Sequence, residues 1–538
     1  MRSRFREWFP LALILLATST AFAQRATGTI SGRVVAEDGQ PIPHATISVI
    51  GVGGSRRVLS GRMAIVTDEE GNFHADGLDP VPYQITANAP GYVLAPNARA
   101  GDMFEPARPV YTFIGESITI TMARGGVITG KVTNAAGDPV IGIGVRAVRI
   151  KDEQGKPLGA AAASGFVQGR QTDDRGIYRL YGLAPGSYIV QAGGSGLFVA
   201  VGQNPYGSRM ATYHPSSLRD AAVEVGVRSG DETSGIDIRY RGERGFGISG
   251  KVTGGPASAA QGGRILTTSI LLRQVSTGAV ISSTFIPPMG GQDGYALYGI
   301  PNGEYEVVAS RDGFNEDGMA SSPRRVIVNG RDLTGIDLTL LPNASIAGTV
   351  TLEKPADNTQ KCESRRESYL EETILRARRD EPAEKYDGAL TSFNLTVGVP
   401  DDKGAFLLRN LRPGRQRIEW QLPDENWYAR SMTMTGTMTG TLTGATPAND
   451  PRNGLALKSG DRVTGLTIIL ATGASGVKGK VAATAGAKLP NRLRVHLLPA
   501  GPEAKDDLLR FAETRAESDG AFCFSHLAPG KYLFIARA

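Results

Sequence analysis

The stretch GIYRLYGLAPGSYIV at residues 176–190 predicts a β-hairpin, and four related stretches are spread along the 538 residues. The five copies align on one apolar anchor residue each: Leu78, Leu183, Ile300, Leu411 and Leu527. An aromatic residue stands five positions before every anchor: Phe73, Tyr178, Tyr295, Phe406 and Phe522. An apolar residue stands three positions before it. Since side chains alternate across a strand, we expect these positions and the anchor to line one core-facing side.

The second strand of each hairpin carries two more core positions. Seven positions after the anchor the residue is always apolar: Ile85, Val190, Val307, Ile418 and Phe534. Five positions after the anchor a tyrosine recurs, with Gln416 as the one departure: Tyr83, Tyr188, Tyr305 and Tyr532. Pro-Gly pairs between the strands fix φ at one residue and allow positive φ at the next.

Two further elements flank the hairpins. A strand of the type Ile-x-Gly-x-Val precedes each one and starts at these residues: Ile30, Ile128, Ile248, Ile346 and Val477. Its central glycine leaves bare backbone, where a neighbouring element can approach closely. A closing strand ends the first four repeats only: at Met122, Tyr240, Leu340 and Leu470. The fold class is therefore all-β, a tandem array of about five small β-sandwiches with the last one incomplete.

The elements also predict the domain boundaries. A signal peptide is expected at residues 1–23, and the sandwiches follow at these ranges: 24–123, 124–243, 244–341, 342–471 and 472–538. The third range lacks a clear copy of the loop DGQPIPHATISV at residues 38–49, and the fourth carries a long charged insertion.

The opening strand, this loop, the turn TDEEGNF and the Pro-Gly-x-Tyr turn together resemble the carboxypeptidase regulatory-like domain. The resemblance is closest in the first two repeats. It implies a transthyretin-like β-sandwich of about seven strands, often grouped with carbohydrate-binding-like folds. It also implies a domain that accompanies metallocarboxypeptidases and is not itself catalytic.

The N-terminus predicts export. Arg2, Arg4 and Arg6 precede an apolar run, and Ala21-Phe22-Ala23 provides the small residues of a cleavage site. No later apolar run is long enough to cross a bilayer, so we expect a periplasmic, cell-surface or secreted protein. The signal segment carries +2 of the net charge of +6. The remaining +4 is too dilute to indicate nucleic-acid binding.

No residues have the spacing of a reactive centre. The five histidines are scattered along the chain: His44, His74, His214, His496 and His526. None begins the HExxH motif of zinc peptidases. Glycine-rich stretches ending at Lys131 and Lys251 look like phosphate-binding loops, but Val132 and Val252 stand where Ser or Thr is required. We therefore predict no catalytic, cofactor-binding or metal-binding residue. Acidic turns such as TDDRG are interpreted as tight turns, with calcium binding as the alternative.

The stretch RIEWQLPDENWYARS at residues 417–431 holds the two tryptophans beyond the signal segment. Trp420 lies two positions after Ile418, so we expect it on the core face. Trp427 and Tyr428 follow Pro423 in a polar stretch and are the candidate ligand-binding residues. A glycan contact is one interpretation, and packing of the loop on its own sandwich is the other.

Residues 362–385 of the fourth repeat are dense in both charges. Leu370, Ile374 and Ala377 fall at helical spacing, and Pro382 would end such a helix. We interpret the segment as a solvated excursion, with a partner-docking arm as the alternative. The Thr/Gly-rich residues 431–450 predict a flexible loop.

Two features of the last repeat stay open. Its missing closing strand indicates either a truncated chain or a partner that adds a strand at the C-terminus. The two cysteines, Cys362 and Cys523, lie in different repeats, so two free, buried thiols are favoured over a disulfide.

The pattern as a whole favours an exported, non-catalytic scaffold, spacer or adhesion module, with its sandwiches in a semi-rigid row. The alternative is a carbohydrate- or peptide-binding protein with a site on or between the sandwiches. Either would meet an envelope or extracellular protein or a glycan. An enzyme is disfavoured by the absence of any matched constellation.

Overall fold

The computed structural model describes residues 27–52, 63–95, 110–158, 169–194, 206–254, 267–286, 293–311, 318–353, 366–380, 397–435, 438–439, 450–483, 489–490, 493–501, 507–517 and 519–537. The expected signal peptide, Cys362 and Pro382 lie outside these ranges. Among the described residues, no helix is both long and apolar enough to cross a bilayer. The five repeats are called units 1 to 5 below.

In its described residues, unit 1 is built from seven strands: β1 (Gly28–Ala36), β2 (Thr46–Gly51), β3 (Met63–Val66), β4 (Asn72–Leu78), β5 (Tyr83–Asn88), β6 (Tyr92–Leu94) and β7 (Ser117–Arg124). One sheet has the order β4-β1-β7-β6 and the other β3-β2-β5. The opening strand β1 pairs antiparallel with the hairpin strand β4 and parallel with the closing strand β7.

The part of unit 2 that the structure describes contains a 3₁₀ turn at Arg219–Ala221 and these strands: β8 (Gly126–Thr133), β9 (Gly144–Lys151), β10 (Arg170–Gln171), β11 (Ile177–Leu183), β12 (Gly186–Ala192), β13 (Thr212–Tyr213), β14 (Val225–Val227), β15 (Glu232–Thr233) and β16 (Ile238–Arg239). One sheet has the order β10-β9-β12-β13, with β14 on β12, and the other has β11-β8-β15, with β16 on β8.

Unit 3 repeats this plan: β17 (Phe246–Thr253), β18 (Thr268–Gln274), β19 (Val280–Ile286), β20 (Gly294–Ile300), β21 (Gly303–Arg311), β22 (Met319–Ala320), β23 (Arg324–Val328), β24 (Leu338–Thr339) and β25 (Leu341–Pro342). The sheets have the orders β20-β17-β24 and β19-β18-β21-β22-β25, with β23 on β21.

Unit 4 has 3₁₀ turns at Leu370–Glu372 and Pro451–Asn453 and these strands: β26 (Ala344–Glu353), β27 (Ile374–Arg379), β28 (Val397–Gly398), β29 (Ala405–Leu411), β30 (Gly414–Gln421), β31 (Trp427–Met434), β32 (Met438–Thr439), β33 (Leu455–Leu457) and β34 (Arg462–Thr472). The sheets have the orders β29-β26-β34-β31, with β32 on β34, and β28-β27-β30-β33.

Unit 5, over its described residues, has a 3₁₀ turn at Leu508–Arg510 and these strands: β35 (Ser475–Lys480), β36 (Arg494–Pro499), β37 (Ala512–Arg515), β38 (Ala521–Leu527) and β39 (Tyr532–Arg537). Its sheets are β35-β38 and β37-β36-β39. Within the described part of the chain, β35 lacks the parallel closing strand that β1, β8, β17 and β26 have in units 1 to 4.

The buried apolar residues form one separate core in each unit, as the predicted tandem β-sandwich requires. All five anchors are buried, and so are four of the aromatic residues five positions before them: Phe73, Tyr178, Tyr295 and Phe406. The anchor stands at odd spacing from these aromatics, which alternation alone would place on the opposite face. A register shift before Leu183 in β11, repeated in the other units, turns the anchor inward.

A neighbouring element approaches the central glycine of each opening strand closely, as the sequence predicts. A Cβ atom at Gly32 would stand 2.5 Å from the Phe73 ring, and one at Gly479 would stand 2.5 Å from the Phe522 ring. At Gly130 it would stand 2.2 Å from the carbonyl oxygen of Ile236. The stretches that look like phosphate-binding loops therefore belong to the opening strands β8 and β17. Backbone of a neighbouring segment packs against their central glycines and leaves no room there for a phosphate.

The recurrent tyrosine after the Pro-Gly turn ties that turn to the core. Each hydroxyl donates to the carbonyl oxygen four residues earlier, at 2.6–3.0 Å, in Tyr83, Tyr188, Tyr305 and Tyr532. Gln416 makes the same contact through its Nε2, 2.8 Å from the Arg412 carbonyl. The one departure in sequence thus preserves the hydrogen bond.

The acidic turns use their carboxylates to cap backbone. The Asp173 carboxylate accepts the N–H groups of Arg175 and Ile177 at 3.0 and 2.7 Å, and Asp401 accepts that of Ala405 at 2.8 Å. These bonds hold the pKa of Asp173 below its usual value. The tight-turn interpretation is confirmed at these positions.

Four expectations are corrected. Phe534 is 47% exposed, although its ring lies 6.0 Å from that of Phe522 and 6.3 Å from that of Phe524. Leu370 lies in a 3₁₀ turn and Ile374 begins a strand, so residues 366–380 are not the expected helix. Residues 431–434 of the predicted flexible loop belong to β31. Cys523 is a free thiol, exposed instead of buried.

Candidate functional site

Trp427 is not on the surface, which corrects the first candidate site. Its side chain is 5% exposed and lies in the core of unit 4. The preceding residues form a tight turn in which the Asp424 carboxylate accepts the Asn426 N–H at 2.9 Å. Trp427 is therefore the first residue of β31 and faces inward. Tyr428, the next residue, is half-buried. Trp420 lies on the core side and is also half-buried, as expected.

The same backbone hydrogen bond joins every unit to the one before it. The N–H of the residue just before each opening strand donates to a carbonyl oxygen in a turn of the preceding unit. Four donors do so, at 2.8–3.3 Å: Gly125 to Gly91, Gly245 to Ser208, Asn343 to Gly318 and Ala474 to Asn426. The same donor position therefore ties the start of each opening strand to the preceding unit.

A second repeated contact lies beside this bond. The residue before each anchor has positive φ, between 56° and 71°, in all five units: Gly77, Gly182, Gly299, Asn410 and His526. Glycine adopts this conformation without strain, and Asn and His do so more readily than most residues. We call this position the corner residue.

In units 2 to 5 the corner residue meets the linker or the preceding unit. Gly182 lies against Gly125, and a Cβ at Gly299 would stand 2.5 Å from the carbonyl oxygen of Arg209. Where the corner residue has a side chain, that side chain makes the contact. Asn410 Oδ1 accepts the N–H of Gly318 at 2.5 Å.

His526 makes the equivalent contact in unit 5. Its Nδ1 lies 2.9 Å from the carbonyl oxygen of Trp427. Because a carbonyl oxygen only accepts, Nδ1 carries the hydrogen in this contact. The backbone carbonyl of Trp427 thus takes part in the junction between units 4 and 5, while its side chain packs in the core of unit 4.

A groove of about 320 Å³ lies beside the junction of units 4 and 5. Trp420 lines it from unit 4, and Arg510, Phe511, His526 and Tyr532 line it from unit 5. Phe511 is 40% exposed. Aromatic faces next to a guanidinium suit a flat or extended ligand, such as a sugar or a peptide.

The perturbed phenols are structural. Burial raises the pKa of Tyr83, Tyr188 and Tyr305 to about 12. They stay protonated and donate to the turns described above. Across the described residues, no group of three or more His, Cys, Asp and Glu side chains converges as a metal site would require.

Comparison with known proteins identifies one part of the chain. Residues 29–100 match the model of the carboxypeptidase regulatory-like domain, which indicates no catalytic family. A search of curated proteins found no match.

Several solved structures are similar over parts of the chain. The Bacillus anthracis TIE protein is 12% identical over 59% of this chain and 51% of that one, with a TM-score of 0.15. The chain thus spans about half the length of that protein. The minor pilin of Streptococcus agalactiae is 11% identical over 40% and 96%, with a TM-score of 0.21. Two B repeat units of the Staphylococcus aureus collagen-binding protein are 11% identical over 83% and 100%, with a TM-score of 0.14.

The opening strand, bare glycine, recurrent aromatic and turn-binding tyrosine of unit 1 all fall within the matched residues. The chain therefore carries a domain of the carboxypeptidase regulatory-like family at residues 29–100, followed by further sandwiches built on the same core positions.

Proposed function

We propose that the chain is an exported, non-catalytic scaffold, spacer or adhesion module, made of sandwiches at the boundaries predicted above. The observation that carries the proposal is the junction bond, which recurs with the same donor position at all four junctions. A protein that spends its repeated contacts on fixing one unit against the next is suited to holding surfaces at set positions.

The electrostatics support the same proposal. The raised pKa values belong chiefly to buried tyrosines that donate to backbone, and the ion pairs are mostly exposed. An active centre would instead bring perturbed groups together in a cleft. A purified chain supplied with zinc is expected to cleave no peptide substrate.

Export is tested by fractionating cells that express the full-length chain with a C-terminal tag. We expect the tagged protein outside the cytoplasm, with a mature N-terminus near Gln24 by N-terminal sequencing. A variant lacking residues 1–23 is the control and should stay in the cytoplasm. Recovery of uncleaved full-length chain in the cytoplasm would contradict the proposal.

A second candidate function rests on the groove between units 4 and 5. We propose it as the place where a sugar or peptide would bind, with Tyr428 retained as a further candidate from the sequence. Glycan and peptide arrays of the mature chain, Phe511→Ala and Tyr428→Ala test this. Leu533→Ala, which removes an apolar side chain 58% exposed on β39, is the matched control. Signals that Phe511→Ala and Tyr428→Ala leave unchanged would rule out both sites.

A further inference from the structure

A sixth buried cluster joins two units that are not neighbours in the chain. Val52, Tyr111 and Phe113 of unit 1 pack against Ile374 and Val399 of unit 4. Each of these side chains is less than 9% exposed, and Ile374 is 0% exposed. Burial of these apolar side chains excludes water from the contact between the two units. The contact is therefore packed like a hydrophobic core.

Two arginines of unit 4 cover the aromatic rings of unit 1. The Arg366 guanidinium lies 5.1 Å from the centroid of the Phe113 ring, and that of Arg376 lies 5.3 Å from the Tyr111 ring. Both distances are within the range of cation–π attraction. Arg376 also donates to the Tyr111 hydroxyl at 3.0 Å. These paired contacts therefore specify which residues of unit 1 and unit 4 face each other.

A buried carboxylate holds the first arginine in place. Glu372 is 0% exposed and accepts Arg366 Nη1 at 2.7 and 2.8 Å. It also accepts the Tyr369 N–H at 3.0 Å, which closes a capping box around the 3₁₀ turn. Arg366 is thus preorganised over Phe113 by groups of its own unit.

The segment is anchored on both sides. Leu370 packs against the core of unit 4, and Tyr369, one residue earlier, packs against the core of unit 1. On the unit 1 side, Glu116 Oε2 accepts the Phe113 N–H at 3.1 Å and shapes the receiving turn. We call residues 366–376 the clamp.

We propose that the clamp binds unit 1 within the same chain, so that units 1 to 4 form a closed array. The repeated junction bond links each unit to the one before it, and closure joins the first unit to the fourth. Residues 366–376 of the charged insertion are therefore a docking arm whose partner is the chain itself. The expected semi-rigid row is corrected accordingly, since units 1 and 4 are in contact.

Small-angle scattering of the mature full chain tests the proposal. Tyr111→Ala/Phe113→Ala removes the unit 1 side of the contact, and neither side chain belongs to the core of unit 1. The matched control is Tyr181→Ala/Tyr298→Ala, which removes two tyrosines, each 41% exposed, from units 2 and 3. We expect the first variant to have a larger radius of gyration than the wild type, and the control to match the wild type.

A disulfide provides an independent measurement. A Cβ atom at residue 115 would lie 3.5 Å from Arg366 Cβ, within the range that a disulfide spans. In a Cys362→Ser/Cys523→Ser/Glu372→Gln background, where no buried carboxylate is left unpaired, Gly115→Cys/Arg366→Cys is expected to form an intramolecular disulfide, detected by peptide mapping. In the same background, Gly115→Cys/Arg430→Cys, with the second cysteine on β31, should not.

Expansion of the Tyr111→Ala/Phe113→Ala chain, formation of the disulfide, or both would support closure. If the variant fails to fold, the disulfide alone decides. An unchanged radius of gyration together with no disulfide would overturn the proposal.

Discussion

The junctions between neighbouring units and the clamp between units 1 and 4 hold the array by opposite means. Each junction uses backbone N–H and carbonyl groups, together with a corner residue of positive φ. The clamp uses side chains: two guanidiniums, two aromatic rings and one buried carboxylate. A junction therefore tolerates many substitutions, whereas the clamp depends on a few particular residues.

The largest expected effect in this comparison is at Glu372. Glu372→Ala leaves Arg366 without its buried partner, and breaking such a pair costs about 3 kcal/mol. We expect faster hydrogen exchange across residues 366–376 in the full chain, measured by mass spectrometry. Glu419→Ala removes the partner of an exposed pair with Arg378 and should have little effect. Equal protection in both variants would show that the carboxylate does not organise the clamp.

A corner residue gives the next largest effect. His526→Ala loses the bond to the Trp427 carbonyl and places at φ 56° a residue that tolerates positive φ less well than histidine, so we expect unit 5 to be destabilised by about 2 kcal/mol. His526→Gly loses the same bond but relieves the strain, so it should cost no more than about 0.5 kcal/mol. The loss of stability of unit 5 in both variants is measured by chemical denaturation, with the hydrogen exchange of β38 as the readout. A larger loss of stability in His526→Gly than in His526→Ala would contradict the strain attributed to positive φ at the corner residue.

Removing the hydroxyl of Tyr111 distinguishes its hydrogen bond with Arg376 from the cation–π contact of the same two side chains. Tyr111→Phe keeps the ring under Arg376 and removes one hydrogen bond to a charged group, worth about 1.5 kcal/mol. Burial raises the pKa of Tyr111, so the hydroxyl stays protonated at neutral pH. A double-mutant cycle with Arg376→Ala, read by protection of residues 366–376, gives the coupling. Zero coupling would mean that the hydrogen bond is not formed in solution.

The smallest effect is expected at the other side-chain corner. Asn410→Gly loses the hydrogen bond to Gly318, but glycine adopts positive φ more readily, so the two changes offset each other to within about 0.5 kcal/mol. The melting temperature measures this. A loss as large as that expected for His526→Ala would show that junctions depend on side chains as much as the clamp does.

The sequence predicted the cores well because their signal is local. The anchors, the bare glycines and the tyrosines after the turn follow strand alternation and turn chemistry, and even Gln416 keeps the bond of the residue it replaces. The bulge before each anchor was not recognised, although a residue that adopts positive φ readily stands there in every unit: glycine in units 1 to 3, Asn410 in unit 4 and His526 in unit 5.

The contacts between units were less accessible to sequence analysis. Backbone junction bonds leave no side-chain pattern, and the clamp pairs residues that are more than 250 positions apart along the chain, such as Tyr111 and Arg376. Helical spacing in residues 370–377 arose by chance from a 3₁₀ turn followed by a strand. Trp427 was misplaced because the turn before it is shorter than the polar composition indicated.

The closed array requires that units 1 and 4 are in contact in solution, and pulsed dipolar spectroscopy measures the distance between them directly. Spin labels are placed at Glu70→Cys and Lys403→Cys, both exposed, in a mature chain carrying Cys362→Ser and Cys523→Ser. The closed array predicts one narrow distance distribution, at the separation that the structure gives for these two residues. A broad distribution extending to the lengths of an open row would contradict it.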